Sequence, residues 1–324
     1  SPSVRAVLGI RGEPGRPADP ANGLVWSSIR DLIDTPGAEN DYISVDNTDR
    51  NRFTTQPWSL QGGAAPTLLR RIERDLRLSS VAERLSSSAY TRADDVYLAP
   101  VGTHNRYLNS NQVVAFATGT AIRDWRCEPT EEALFPYGGP PSFPPKAEDP
   151  RLLQRLWPNR TLLWQRKEPN GTIRDLGLNW WEWARFLRHV HRTSLSIVFA
   201  FVATHNHFVL DRGGKVFNRS APVIKLPEGA GEDEHLELLG LLNSSTACFW
   251  MKQVFHSKGN ATAASGMPDQ PWSWNWEFDS TKLRQFPLPT GRPLELARAL
   301  DAAARELSGV LPAAVAEREP PTRA

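Results

Sequence analysis

Residues 195 to 226, LSIVFAFVATHNHFVLDRGGKVFNRSAPVIKL, constrain the fold more than any other stretch of the chain. β-Branched and aromatic residues crowd short runs that only turn-forming residues interrupt, the pattern of buried strands. Asp211-Arg212-Gly213-Gly214 reads as a hairpin turn, and Pro222 marks an edge strand or bulge. Helical periodicity then takes over in DEHLELLGLLNSSTACFWMKQVF, breaking near Asn243, where Ser244 or Ser245 can cap a second helix. Leu236, Leu239, Leu242 and Phe249 are its expected core. Pro66 to Leu85 (PTLLRRIERDLRLSSVAERL) reads as an amphipathic helix with Leu68, Leu69, Ile72, Leu76 and Leu85 as its apolar stripe. NWWEWARFLRHVHR reads as another, capped by Asn179, with Arg185, Arg188 and Arg192 on one face. A terminal helix is expected in RPLELARALDAAAREL. Shorter strands are expected at Val4–Ile10 and in DYISV, DDVYLAP and QVVAFATG, and the proline-dense loop from Pro136 to Pro150 excludes regular structure. The expected class is mixed α+β.

Charge narrows the function less. Lys and Arg number 38 against 36 Asp and Glu, a net charge of +2, so the global balance demands no nucleic acid. Seven of the basic residues are lysine and the rest arginine, whose forked donors suit phosphates and guanine edges. A GC-rich coding sequence would give the same bias. Between Lys146 and Arg192 ten basic residues face five acidic ones, whereas Glu228–Glu237 is acidic. Only Cys127 and Cys248 are present, which argues against a disulfide scaffold and suits a reducing cytoplasm. No apolar run reaches the roughly 18 to 20 residues of a membrane span. SPSVRAVLGI has neither an initiator Met nor a signal pattern, so the natural start is expected upstream.

His205-Asn206-His207 invites a nuclease or metal reading. On a strand the two histidines would share a face. Zinc needs further ligands, and the adjacent turn supplies only Asp211, so no metal is expected and adjacent polar residues on an exposed strand face are the simpler account. A metal-dependent nuclease of the HNH type is the weaker alternative. There is no Gly-x-Ser-x-Gly elbow, no phosphate-cradling loop with its Lys, and RGEPG lacks a nucleotide fingerprint. No catalysis is expected from this segment alone. The polar set does suit DNA: Asn pairs with adenine, Arg and His with guanine, and Lys, Ser and backbone amides with phosphate. Trp272, Trp274 and Trp276 fall at period two, as core packing or as a surface for partner proteins.

The motifs VLGIRGEPG, PWSL, WWEW, FAFVATHNHFVLDRGGKVFNRSAPVIKLP, LLGLLNSSTACFWMKQV and KLRQFPLP, in this order, resemble the C-terminal half of large adenine-specific DNA methyltransferases. The resemblance is strongest to those of phage-growth-limitation (BREX) defence systems and, more broadly, the TaqI-like type IIG restriction–modification family. It implies a catalytic domain upstream that binds S-adenosylmethionine and flips the target adenine. That domain's Asn-Pro-Pro-Tyr-type motif is absent; GGPPSFPP at Gly138–Pro145 lacks the Asn and the aromatic. No cofactor is therefore implied for the present segment. Residues 1–60 would be the tail of the catalytic domain, 61–93 a connector helix, 94–290 the target-recognition domain and 291–324 a terminal helix and disordered tail. The implied partners are double-stranded DNA, the protein's own methyltransferase domain and other defence proteins, with no membrane. The matched motifs include His205, Asn206, His207, Lys215, Asn218 and Arg219, which become DNA-contact candidates. Arg185, Arg188, Lys252 and Lys258 are phosphate candidates. Gly213 and Gly214 are assigned to the turn and Asn243 to the helix junction.

Overall fold

A computed structural model of the chain describes residues 1–54, 58–108, 110–140, 142–147, 149–260, 273–312 and 314–315. Trp272 and the tail 316–324 lie outside the described residues. The architecture is mixed α+β, as expected. At the N-terminus β1 (Ser3–Gly9), α1 (Leu24–Leu32) and β2 (Ile43–Asp49) form a unit in which the two strands pair antiparallel, Val7 opposite Val45. Helix α2 (Ala65–Ile72) follows. This region meets the rest of the chain through Gln253, which accepts from Ser59 Oγ at 2.9 Å and donates to Gln61 Oε1 at 2.7 Å.

Two four-stranded sheets form the centre. They use β3 (Arg84–Ser86), β4 (Leu98–Pro100), β5 (Val113–Ala117), β6 (Glu131–Leu134), β7 (Ser196–Phe199), β8 (Phe208–Asp211), β9 (Lys215–Phe217) and β10 (Val223–Lys225). The first sheet, in the order β8-β7-β10-β3, is antiparallel throughout. The second, in the order β9-β5-β6-β4, is antiparallel except where β9 runs parallel to β5, Lys215 opposite Ala115. The expected hairpin at Asp211–Gly214 is therefore not one. Gly213 and Gly214, at φ of 105° and 81°, bend the chain out of one sheet and into the other. Such left-handed backbone suits residues without a Cβ. Nor does Pro222 mark an edge, since β10 lies between β7 and β3.

Helices α3 (Glu232–Leu242) and α4 (Ser245–Val254) form as the periodicity predicts, and Ser244 caps the second, its Oγ accepting from Ala247 N at 3.0 Å. With α5 (Leu294–Gly309) they cover the first sheet, whose core includes Ile197, Phe199, Phe208, Leu239, Leu242, Trp250 and Ala297. A second core gathers Phe116, Leu134, Phe135, Tyr137, Leu152 and Trp183 around the other sheet. No helix among the described residues is long and apolar enough to cross a membrane.

Two expected helices are overridden by tertiary hydrogen bonds. The helix expected over 66–85 stops at Ile72. Beyond it Leu78 N donates to Phe286 O, Ser79 N to Arg284 O, and Leu288 N to Leu76 O, so the backbone is spent on the FPLP segment. Residues 84–86 then become β3. The stretch 179–192 is likewise not an α-helix: it holds the strand pair Arg185–Phe186 and a 3-10 turn, Arg188–His191. Buried Arg166 takes the carbonyls of Trp180 and Glu182, and Tyr97 Oη takes that of Trp181. Carbonyls so engaged cannot supply an i→i−4 ladder. The three arginines consequently do not share a helical face.

Burial sets an acid response. It pushes His191 down to about 3, Lys225 and His189 adding to the effect, and it also lowers His104 and His235. In the unfolded chain a histidine titrates near 6.5. Between the two values the unfolded state binds more protons, so stability is full above about pH 6.5 and falls as the pH drops towards 3. Urea midpoints at pH 7.5, 6.0 and 5.0 should decline in that order; an unchanged midpoint would contradict the burial of these rings.

Candidate nucleic-acid interface

Ser88 Oγ donates to Phe217 O at 2.8 Å and so draws the end of β9 against residues 88–90. Tyr90 is paired in register with Arg185 across the short strands Ala89–Tyr90 and Arg185–Phe186. Beyond β9, Asn218 Oδ1 accepts from Ser220 N at 2.8 Å and from Ser220 Oγ at 2.7 Å, an Asx turn that leaves Arg219 at its exposed tip. Ser220 Oγ in turn accepts from Gly119 N at 2.8 Å, and a Cβ at Gly119 would stand 2.4 Å from Ser220 O. Only glycine permits that approach.

These constraints place Arg185 and Arg219 on the wall of one open cavity of about 560 Å³, with Tyr90, Arg92, Asp94 and Asp95. Both guanidiniums are exposed and make no ion pair among the described residues. Arg185 lies 6.0 Å from the Tyr90 ring centroid and Arg92 5.2 Å. Glu168 organises this wall, accepting from Arg92 Nε at 2.7 Å and from Tyr90 Oη at 2.6 Å. Its hydrogen bond and charge raise the Arg92 pKa. Two guanidinium forks beside an aromatic ring can hold phosphates and base edges. Tyr90 and Arg92 escaped the sequence reading because they lie far from the motif in the chain.

The remaining candidates are placed otherwise. Residues 205–207 occupy a bend between strand Val202–Ala203 and β8, not an exposed strand face. Asn206 is 8% exposed, and its Nδ2 donates to Leu242 O at 2.7 Å and Ser244 O at 3.3 Å. It ties the α3–α4 junction and offers no free amide to a base. Asn243 completes the stitch, accepting from Phe208 N and donating to Phe208 O, both at 3.0 Å. Asn243→Ala strips both partners from that backbone and should cost about 2–3 kcal/mol, read from the urea midpoint; a cost below ~0.5 kcal/mol would mean water replaces the amide.

Lys215 pairs with buried Asp211 at 2.9 Å, and Arg188 with buried Glu182 at 3.2 Å while lying over Tyr137. Lys252 sits 6.0 Å from the Trp276 ring, and Lys258 pairs with Glu277. Trp276 is half-buried and Trp274 is 37% exposed. His205 is exposed and His207 buried, yet their ring centroids lie 4.0 Å apart. Burial, then His205 and Arg123, push His207 down to about 4 against the pull of Asp124, so its ring is neutral near pH 7. Asp211 is not beside them. The nearby carboxylate is that of Asp124, 3.7 Å from His207 Nδ1 and 83 residues earlier in the chain.

The segment Gly138–Pro145 closes on itself, Gly138 N donating to Pro144 O at 2.8 Å, and turns Phe143 onto Phe135 and Phe186.

The chain is 42% identical over 340 residues to the adenine-specific methyltransferase PglX of Streptomyces coelicolor (strain ATCC BAA-471 / A3(2) / M145). The match takes in 99% of this chain and 27% of that protein, so the chain spans about a quarter of the relative's length. The resemblance to an adenine-specific methyltransferase is thus borne out. No protein-family model matches. Among solved structures, the type IIL restriction–modification enzyme MmeI, in complex with DNA, aligns with a TM-score of 0.45 at 12% identity, over 74% of this chain and 29% of that one. The type IIG restriction endonuclease BpuSI aligns with a TM-score of 0.46 at 10% identity, over 87% and 33%.

Proposed function

We propose that this chain is the DNA-recognition segment of a site-specific adenine methyltransferase of a phage-defence or restriction–modification type, holding duplex DNA for a catalytic domain carried elsewhere in the protein. The observation that carries the reading is the end-to-end match to one stretch of an adenine-specific methyltransferase. S-adenosylmethionine binding and methyl transfer belong to that other domain, and no catalytic step is assigned to residues of this chain. Residues 94–290, joined by β3 and the strand Ala89–Tyr90 from the connecting stretch 61–93, form the recognition domain, and residues 1–60 the end of the catalytic one. Its interaction partners are double-stranded DNA and its own catalytic domain.

Arg219 and Arg185 supply the cationic forks for the duplex, and Tyr90 and Arg92 the flat surface between them. Arg219, at the tip of a turn, suits a base edge, whereas Arg185 suits a phosphate. Asp94 and Asp95, on the same wall, repel a uniform run of phosphates and accept from an exocyclic amine such as that of cytosine. A mixed wall therefore favours reading over indiscriminate adhesion. Binding should weaken linearly in log K against log salt, with a slope of about −0.9 per phosphate contacted. Gel shifts with this chain and with the intact protein, on duplexes at several salt concentrations, test the reading. Its failure would be the absence of salt-dependent binding in both.

A further inference from the structure

We propose that Asp124, His205 and His207 form a binding site for a borderline divalent metal ion of the zinc type. Among the described residues they are the one group of three or more His, Cys, Asp or Glu side chains able to share an ion, with one donor atom from each within 4.8 Å of the others. Bonds of about 2.1 Å to a tetrahedral ion place donor atoms roughly 3.4 Å apart. The Asp124 carboxylate, at 3.7 Å from His207 Nδ1, is already close to that separation. The rest needs only rotation of His205 and Asp124, which are both exposed, around the fixed, buried ring of His207.

The backbone is arranged to bring the carboxylate there. Strands Ile122–Arg123 and Arg126–Cys127 leave a two-residue loop, Asp124–Trp125, in which φ is 46° and 67°. A turn of this hand matches the strand twist but usually takes Asn and Gly. A tryptophan in left-handed backbone is strained, and such strain collects at functional sites. Here Asp124 N–H donates to His207 Nδ1 at 3.4 Å, a long bond that ligation through Nδ1 would replace, and the carboxylate stands beside it. Thr204 Oγ1, 3.0 Å from His205 Nδ1, steadies the second ring in the manner of a supporting hydrogen bond behind a ligand.

Two imidazoles and one carboxylate suit zinc, cobalt or nickel, whereas magnesium and calcium prefer oxygen donors throughout. Three protein ligands leave a fourth position open. Arg123 and Lys252, whose charges are felt at His205, disfavour a bare dication and favour an anion in that position.

Zinc titration calorimetry and the visible spectrum of added cobalt, on the full 324-residue chain, test the site. One zinc ion per chain is expected, with tetrahedral or five-coordinate cobalt bands and no response to magnesium. Asp124→Asn and His205→Ala alter exposed side chains, and circular dichroism checks that both variants fold. Each should weaken zinc binding roughly tenfold or more. The proposal is overturned if the folded wild-type chain binds no zinc saturably, or if both variants bind it as the wild type does. Neither result bears on DNA binding, which the salt titration reads separately.

Discussion

The double substitution Arg185→Ala, Arg219→Ala is expected to lower affinity for duplex DNA about 100-fold at ~0.1 M salt. Each guanidinium is exposed and without an ion pair among the described residues, so its removal breaks no ion pair and costs only the contact of Arg185 with the Tyr90 ring. A hydrogen bond to a charged group contributes about 1.5–3 kcal/mol, and two together give roughly 3 kcal/mol or more. The salt slope should become shallower by up to about two if both residues contact phosphate. If Arg219 instead reads a base, Arg219→Ala alone should relax sequence preference with little change in slope, and Arg185→Ala should weaken all duplexes alike. Gel shifts across sequence and salt variants separate these outcomes. Unchanged affinity in the double variant, with an intact circular dichroism spectrum, would move the interface away from this cavity.

Trp183→Ala should destabilise the chain by about 3–5 kcal/mol, the range for deleting a fully buried indole. Trp183 is 1% exposed and stands edge-on to Phe116, Phe135, Tyr137 and Phe186. Its Nε1 donates to Leu134 O at 3.0 Å. Trp183→Phe keeps most of the apolar area but orphans that carbonyl, so roughly 1–3 kcal/mol is expected. Urea unfolding followed by far-ultraviolet circular dichroism gives both values. Because Phe186 follows Arg185, loss of the cluster should also loosen the cavity wall and reduce DNA affinity. An alanine variant as stable as the wild type would show that this second core contributes little.

The contrast between correctly and wrongly read elements has a physical cause. Helices α3, α4 and α5 and the strands from Ser196 to Lys225 were legible because their burial follows the period of the element itself. The Ser244 cap was legible because capping is local. The helix over 66–85 was overextended because nothing before Leu85 shows that Leu76, Leu78 and Ser79 bond to residues 284–288. WWEWARF looked helical for the same reason, since Arg166 and Tyr97 take its carbonyls from far along the chain. In the candidate site, Arg185 and Arg219 were chosen from the sequence, but Tyr90 and Arg92 join them only through strand pairing. Asn206 looked like an adenine reader because its side chain fits one; its burial under the α3–α4 junction is a tertiary fact. Asp124 was invisible as a neighbour of His207 for want of any local signal.

The parallel pairing of β9 with β5 also fixes an order in time. Lys215 lies about a hundred residues after its partner Ala115. At a synthesis rate of about 5–20 residues per second, β5 waits roughly 5 to 20 seconds on the ribosome before its outer neighbour exists. Through that interval the Val113–Ala117 edge is open, and an open edge is a template for wrong pairing. The brevity of that strand, five residues, limits the hazard. That interval spans the synthesis of Arg185 and closes just before Arg219 is made.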